Sequence, residues 1–123
     1  MEENIKPKIK LAIVGSRTFN DYEYMKSVIY KHFTGMDILC IISGGARGAD
    51  ALGERFAKEH DIECVVYRAD WNKYGKRAGF IRNHDIINAC THCVAFWDGE
   101  SRGTKHDIDL CREQGKECIV ARF

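Results

Sequence analysis

Short apolar runs alternate with longer amphipathic ones along this chain. Ile9-Lys10-Leu11-Ala12-Ile13-Val14, Leu39 to Ser43, Glu63 to Tyr67, Cys93 to Trp97 and Cys118 to Ala121 read as five strands. Between them the spacing predicts a helix over Tyr22 to Phe33, in which Tyr22, Met25, Val28, Ile29 and His32 or Phe33 share a face. Asp21 is placed to cap that helix and Gly35 to stop it. Further helices are expected over Arg47 to Glu59, about Arg77 to Ala89, and Gly103 to Gln114, with Gly115 ending the last. Asp70 to Lys76 reads as a loop, and the single proline, Pro7, falls outside every element.

Most of these strands are apolar on both faces, which calls for a parallel sheet covered on each side by helices. Right-handed crossovers leave an open doubly wound sheet as the simplest topology. The expected fold is therefore α/β, a Rossmann-like three-layer sandwich with a five-stranded, mostly parallel sheet. A chain of 123 residues makes one domain of this kind, residues 1–123, with 1–8 as a polar tail.

Composition narrows the function classes. A net charge of +1 argues against a broad footprint for duplex nucleic acid. No apolar run approaches a membrane span and Met1-Glu2-Glu3-Asn4 is polar, so neither membrane nor secretion is expected and the cytoplasm is the expected compartment. Of six cysteines, Cys40, Cys64, Cys93 and Cys118 lie in or beside apolar strand runs, where cysteine acts as a small buried hydrophobe. Cys90-Thr91-His92-Cys93 matches C-x-x-C, but Cys111 and Cys118 do not form the second close pair of a structural zinc site. Reduced thiols, no metal and no cofactor are expected.

In an open α/β sheet, ligands meet the carboxyl ends of the strands. The turns there are Gly15-Ser16-Arg17-Thr18, Ser43-Gly44-Gly45-Ala46-Arg47-Gly48, Arg68 to Lys76 and Asp98 to Thr104. The first, second and fourth of these are glycine-rich turns, and a strand, glycine turn and helix start together favour a phosphate. Arg17 can grip a phosphate bidentately, and Arg47, in the expected first helical turn, opposes the helix dipole unless an anion compensates it. Asp50 suits that turn as a carboxylate, with Glu54 at i+4 on the same face. In Asp70-Trp71-Asn72-Lys73-Tyr74-Gly75-Lys76, Trp71 or Tyr74 can stack on a base, with Lys76 or Arg82 at phosphate; the alternative is an aromatic plug at the sheet edge. Arg82 and Asn83 can face the pocket, whereas His84 has no evident partner. Thr104 either caps its helix or binds phosphate, and Asp107 stands in capping-box spacing to it. The P-loop and G-x-G-x-x-G patterns are absent, and no Ser-His-Asp or Cys-His arrangement is indicated.

Together, Gly15-Ser16-Arg17-Thr18-Phe19, Ser43 to Asp50, Ala69-Asp70-Trp71, Tyr74-Gly75-Lys76, Ala78-Gly79, Arg82-Asn83 and Phe96-Trp97-Asp98-Gly99 resemble the YspA/YpsA-related branch of the SLOG superfamily. That superfamily includes the DNA-processing Smf proteins and the LOG nucleotide phosphoribohydrolases. The resemblance implies a Rossmann-like sheet and a nucleotide-derived ligand meeting the Gly15 turn, the Ser43 to Gly48 turn and Gly103-Thr104. The LOG pattern P-G-G-x-G-T-x-x-E is altered here: the prolyl-glycine turn is missing and Asp107 occupies the place of the catalytic-type glutamate.

Three readings follow. The first is a nucleotide or ADP-ribose-like binding domain acting as a sensor. It uses Gly15, Ser16, Arg17, Ser43, Gly44, Gly45, Arg47, Gly48, Asp70, Trp71, Tyr74, Lys76, Arg82, Asn83, Asp98, Gly103 and Thr104. The second is a hydrolase of the N-glycosidic bond in a nucleoside monophosphate, with Glu54 or Asp107 catalytic. The third is single-stranded nucleic-acid binding through Trp71, Tyr74 and nearby lysines, which near-neutral charge disfavours. A nucleotide-like small molecule is the expected partner, and self-association is left open.

Overall fold

A computed structural model of the chain describes residues 6–123. Most of the expected polar tail, residues 1–5, lies outside the described residues. The five strands are β1 (Lys8–Gly15), β2 (Asp37–Ser43), β3 (Glu63–Val66), β4 (His92–Trp97) and β5 (Glu117–Arg122). They form one sheet in the order β3-β2-β1-β4-β5, and every pairing is parallel. The helices are α1 (Tyr22–Phe33), α2 (Ala49–Glu59), α3 (Trp71–Tyr74), α4 (Ala78–Ala89) and α5 (Arg102–Glu113).

Alternation along β1 divides the core. Ile9, Leu11 and Ile13 face Met25, Ile29 and Phe33 of α1 and Phe56 and Ala57 of α2. Ala12 and Val14 point to the other side, where Ile86 and Ile87 of α4 and Ile108, Leu110 and Cys111 of α5 cover the sheet. The layers are therefore α1/α2, sheet, α4/α5, the expected three-layer arrangement. No described helix is long and apolar enough to cross a membrane.

The first helix has the expected bounds, and Asp21 Oδ1 accepts from the Tyr24 N–H at 3.0 Å. Three local expectations are corrected. Helix α2 begins at Ala49 rather than Arg47, because Gly48 at its N-cap has φ 78° and ψ −129°, outside the helical region. Arg47 thus precedes the helix instead of lying in its first turn. The stretch from Asp70 is not a loop: Asp70 Oδ1 accepts from the Lys73 N–H and caps the short α3, and a 3₁₀ turn, Gly75–Arg77, leads into α4. Helix α5 is capped by Ser101, not Thr104, and Asp107 takes no part in the cap.

Candidate functional site

The chain runs β1, β2, β3 in one direction across the sheet and then crosses back to place β4 on the other side of β1. Strand order therefore switches between β1 and β4, and the loops leaving these two strands diverge to opposite faces and leave a crevice. A cavity of about 400 Å³ lies there, within the roughly 300–1,000 Å³ of small-molecule pockets. Its wall comes from Gly15 to Thr18 after β1, Ala46 and Asp50 at the start of α2, Lys76, Gly79, Phe80, Arg82, Asn83 and Ile86 around α4, and Asp98, Ser101, Gly103, Thr104 and Asp107 around α5. A second cavity of about 570 Å³ shares Arg17, Ala46 and Arg82 with it and adds Gly44, Gly45, Arg47, Arg68, Ala69 and Trp71.

Close backbone packing shapes the cavity. At Gly48 a Cβ would stand 2.5 Å from the Ser16 carbonyl oxygen and 2.6 Å from Arg17 Cα. The Ala49 N–H donates to that same Ser16 oxygen at 3.3 Å, so the β1 and β2 turns are joined directly. At Gly15 a Cβ would meet the Phe96 carbonyl oxygen at 2.5 Å and Ala49 Cβ at 2.8 Å. These glycines let three chain segments converge where any side chain would separate them.

Charge is arranged unevenly around this wall. Arg82 donates from Nη1 to the Gly44 carbonyl at 2.7 Å and from Nε to Asn83 Oδ1 at 3.2 Å, and Arg68 donates to the Gly45 carbonyl at 3.3 Å. Among the described residues, the ion pairs involve none of Arg17, Arg47, Arg68, Lys76 and Arg82. Two carboxyl groups are buried beneath these cations. Asp50, 7% exposed, accepts from the Ala46 N–H at 3.2 Å, and burial pushes its carboxyl up to about 6 despite that bond and Arg82. Asp107, 5% exposed, is held well above the ordinary range, first by burial and then by the charge of Asp50. Its Oδ1 and Ser16 Oγ are buried without a hydrogen-bond partner among the described residues. Such atoms are costly unless something else meets them. Asp98 differs: the Ser101 and Glu100 N–H groups donate to it and hold its carboxyl below the usual range.

Asp50 supplies a test of this electrostatic picture. Its folded value of about 6 exceeds the ordinary 3.8, so the folded chain holds the proton more tightly than the unfolded one. Stability is therefore lost as pH rises between those values, by an amount on the order of 3 kcal/mol once Asp50 is ionised. Asp50→Asn keeps an oxygen for the Ala46 N–H. It is expected to melt at a higher temperature than the wild type near pH 7.5, with the difference shrinking toward pH 4. Thermal melts across that range check it.

At the rim, Trp71 and Phe80 are each 52% exposed. The Trp71 ring reaches over Gly79, whose Cβ would lie 3.4 Å from it, and Phe80 stands edge-on to His106 at 4.8 Å. His106 Nδ1 pairs with the Asn83 amide at 3.1 Å, an arrangement in which Asn83 donates and the imidazole is neutral. Burial first, then His84 5.3 Å away, lowers the His106 pKa.

The structure thus brings Gly15, Ser16, Arg17, Gly44, Gly45, Arg47, Trp71, Lys76, Arg82, Asn83, Asp98, Gly103, Thr104 and Asp107 to the two cavities. Ser43, Gly48, Asp70, Tyr74 and Glu54 line neither. Ser43 Oγ is within hydrogen-bond distance of both Glu54 Oε2 and the Gly45 N–H, so Ser43 and Glu54 brace the turn from behind. Asp50, expected as a helix-start carboxylate, lies in the cavity wall. Phe80 and His106 were not among the expected residues, and Arg68 and Ser101 were covered only as parts of the turns Arg68 to Lys76 and Asp98 to Thr104. For Phe80, the signal was an aromatic side chain one position from Gly79 on the same helix as Arg82 and Asn83.

Strand order and cavity define a Rossmann-like α/β protein with a polar crevice at its topological switch. The sequence profile described as the YspA, cpYpsA-related SLOG family matches residues 9–74. The chain is also 33% identical over 116 residues to the Gene 61 protein of Mycobacterium phage D29, a match covering 86% of this chain and 90% of that protein. No solved structure matches it. The chain belongs to the YspA, cpYpsA-related SLOG family.

Proposed function

We propose that the chain binds a nucleotide or an ADP-ribose-like derivative across the two joined cavities and acts as a ligand-sensing domain. The observation that carries this reading is a set of cations, Arg17, Arg47, Arg68, Lys76 and Arg82, that make no ion pair among the described residues and stand around a wall that also holds buried carboxyl groups. Phosphate oxygens satisfy the cations. Trp71 and Phe80 offer exposed ring faces to a base, and the Asp98 carboxylate accepts from ribose hydroxyls. Family membership supports a nucleotide-related role.

The test is a thermal-shift panel of nucleoside mono-, di- and triphosphates, ADP-ribose and inorganic phosphate. At least one nucleotide is expected to raise the melting temperature more than phosphate alone does, and Arg17→Ala to reduce that rise. A panel that moves nothing overturns the reading.

The position of Asp107 favours a second reading, hydrolysis of an N-glycosidic bond. Burial favours the protonated form of its carboxyl, which can give that proton to a departing base as the C1′–N bond breaks and recover one from the water that adds at C1′. Free base appearing from a nucleoside monophosphate, and lost in Asp107→Asn, would favour it over binding alone.

A further inference from the structure

Helix α5 starts beside the cavity and runs back beneath the sheet, so its last turn reaches the opposite, amino-terminal edge. There Cys111 of α5 meets Cys93 of β4 and Cys118 of β5. Cys93 and Cys118 are register partners on adjacent parallel strands, with side chains on one face. The three sulfurs all lie within 4.8 Å of one another. Sulfurs held about 2.3 Å from a central zinc in a trigonal set are themselves about 4 Å apart, so small side-chain adjustments close the set. Cys93 and Cys111 are fully buried, and Cys118 is half-buried and leaves one side of the cluster reachable.

From this convergence we propose that Cys93, Cys111 and Cys118 form a binding site for a soft, thiophilic cation, with Zn²⁺ as the probe. Soft thiolate donors with no oxygen ligand among them select such ions over magnesium or calcium. Three thiolates around a dication leave one negative charge. The Lys116 ammonium, anchored on the Ile87 carbonyl at 2.5 Å and the Asn88 carbonyl at 3.2 Å, stands where its field reaches Cys111. The C-x-x-C match points to a different pair. Cys90, its other member, turns away and donates its S–H to the Ile87 carbonyl at 3.4 Å. Cys111 and Cys118 are not a close pair in the sequence, yet a helix end, the Gly115 turn and a strand start bring them together. The site lies at the far edge of the sheet from the nucleotide cavity and stands independently of it.

The test is equilibrium dialysis of the reduced protein against Zn²⁺. One bound equivalent per chain is expected, with a raised melting temperature. Cys118→Ser is expected to weaken binding at least about 100-fold, while Cys90→Ala retains it. Loss of binding in Cys90→Ala to the same degree as in Cys118→Ser would overturn the three-sulfur assignment. If a variant fails to fold, Co²⁺ added to the wild type decides: a thiolate-to-cobalt charge-transfer band supports the site. Its absence overturns the proposal, as does wild-type protein that takes up no zinc and instead forms a Cys93–Cys118 disulfide on oxidation.

Discussion

Gly48→Ala is expected to cost at least about 3 kcal/mol and to lower the melting temperature by about 10 °C or more. Two independent penalties combine. The backbone at φ 78° and ψ −129° is one that only glycine adopts readily. The added Cβ would also press on the Ser16 carbonyl and on Arg17, which are main-chain atoms of another segment and cannot swing aside. Relief would require the β1 and β2 turns to separate, breaking the Ala49 N–H bond to Ser16 and opening the cavity floor. Gly103→Ala is the matched control. It lies in a helix with nothing within 4 Å of its Cβ position, so its stability should hold or rise slightly. Comparing the two by denaturant melts separates glycine needed for chain packing from glycine that merely lines the cavity.

Arg82→Ala is expected to weaken nucleotide binding by roughly 10- to 100-fold and to lower the melting temperature by several degrees. Arg82 lines both cavities, holds the Gly44 carbonyl at 2.7 Å and is the nearest compensation for the Asp50 charge. Its loss leaves a carbonyl and a buried carboxylate without their cation. The stability effect should therefore be larger above the Asp50 titration near pH 6 than below it. Pairing Arg82→Ala with Asp50→Asn should recover much of the stability but not the affinity, because the proposed contact of Arg82 with a phosphate is still missing. Titration of the double variant and its melt together distinguish a ligand-gripping arginine from one that only neutralises Asp50. Lysine is a poor substitute, lacking the planar fork that reaches the carbonyl and a phosphate at once.

The strands and main helices were legible in the sequence because their periodicities are unbroken. Leu11, Ala12, Ile13 and Val14 carry apolar groups to both faces, and only a sheet covered on both sides uses such a run. The edge on which the cavity lies follows from the same sheet, because a parallel doubly wound order opens its crevice at the carboxyl ends of the strands. Three details were hidden because they depend on contacts between distant segments. Asp107 looked like a capping-box member, yet Ser101, three residues before Thr104, takes the cap and turns Asp107 inward. Glu54 and Asp50 share a helix face, but only Asp50 lies high enough on α2 to enter the cavity, whereas Glu54 reaches Ser43 behind the turn. Phe80 sits in a helix whose neighbours gave no periodic reason to expose a ring, and its role at the rim follows from where α4 crosses the switch.

Backbone amide chemical-shift mapping tests the central claim most directly, with the wild-type protein titrated by the strongest nucleotide from the thermal-shift panel. The expected result is saturable shifts concentrated at Gly15 to Thr18, Gly44 to Arg47, Phe80 to Asn83 and Gly103-Thr104. The Cys93, Cys111 and Cys118 edge should stay still. Shifts that cluster elsewhere on the sheet, or none at millimolar nucleotide, would contradict a nucleotide site at the β1/β4 switch.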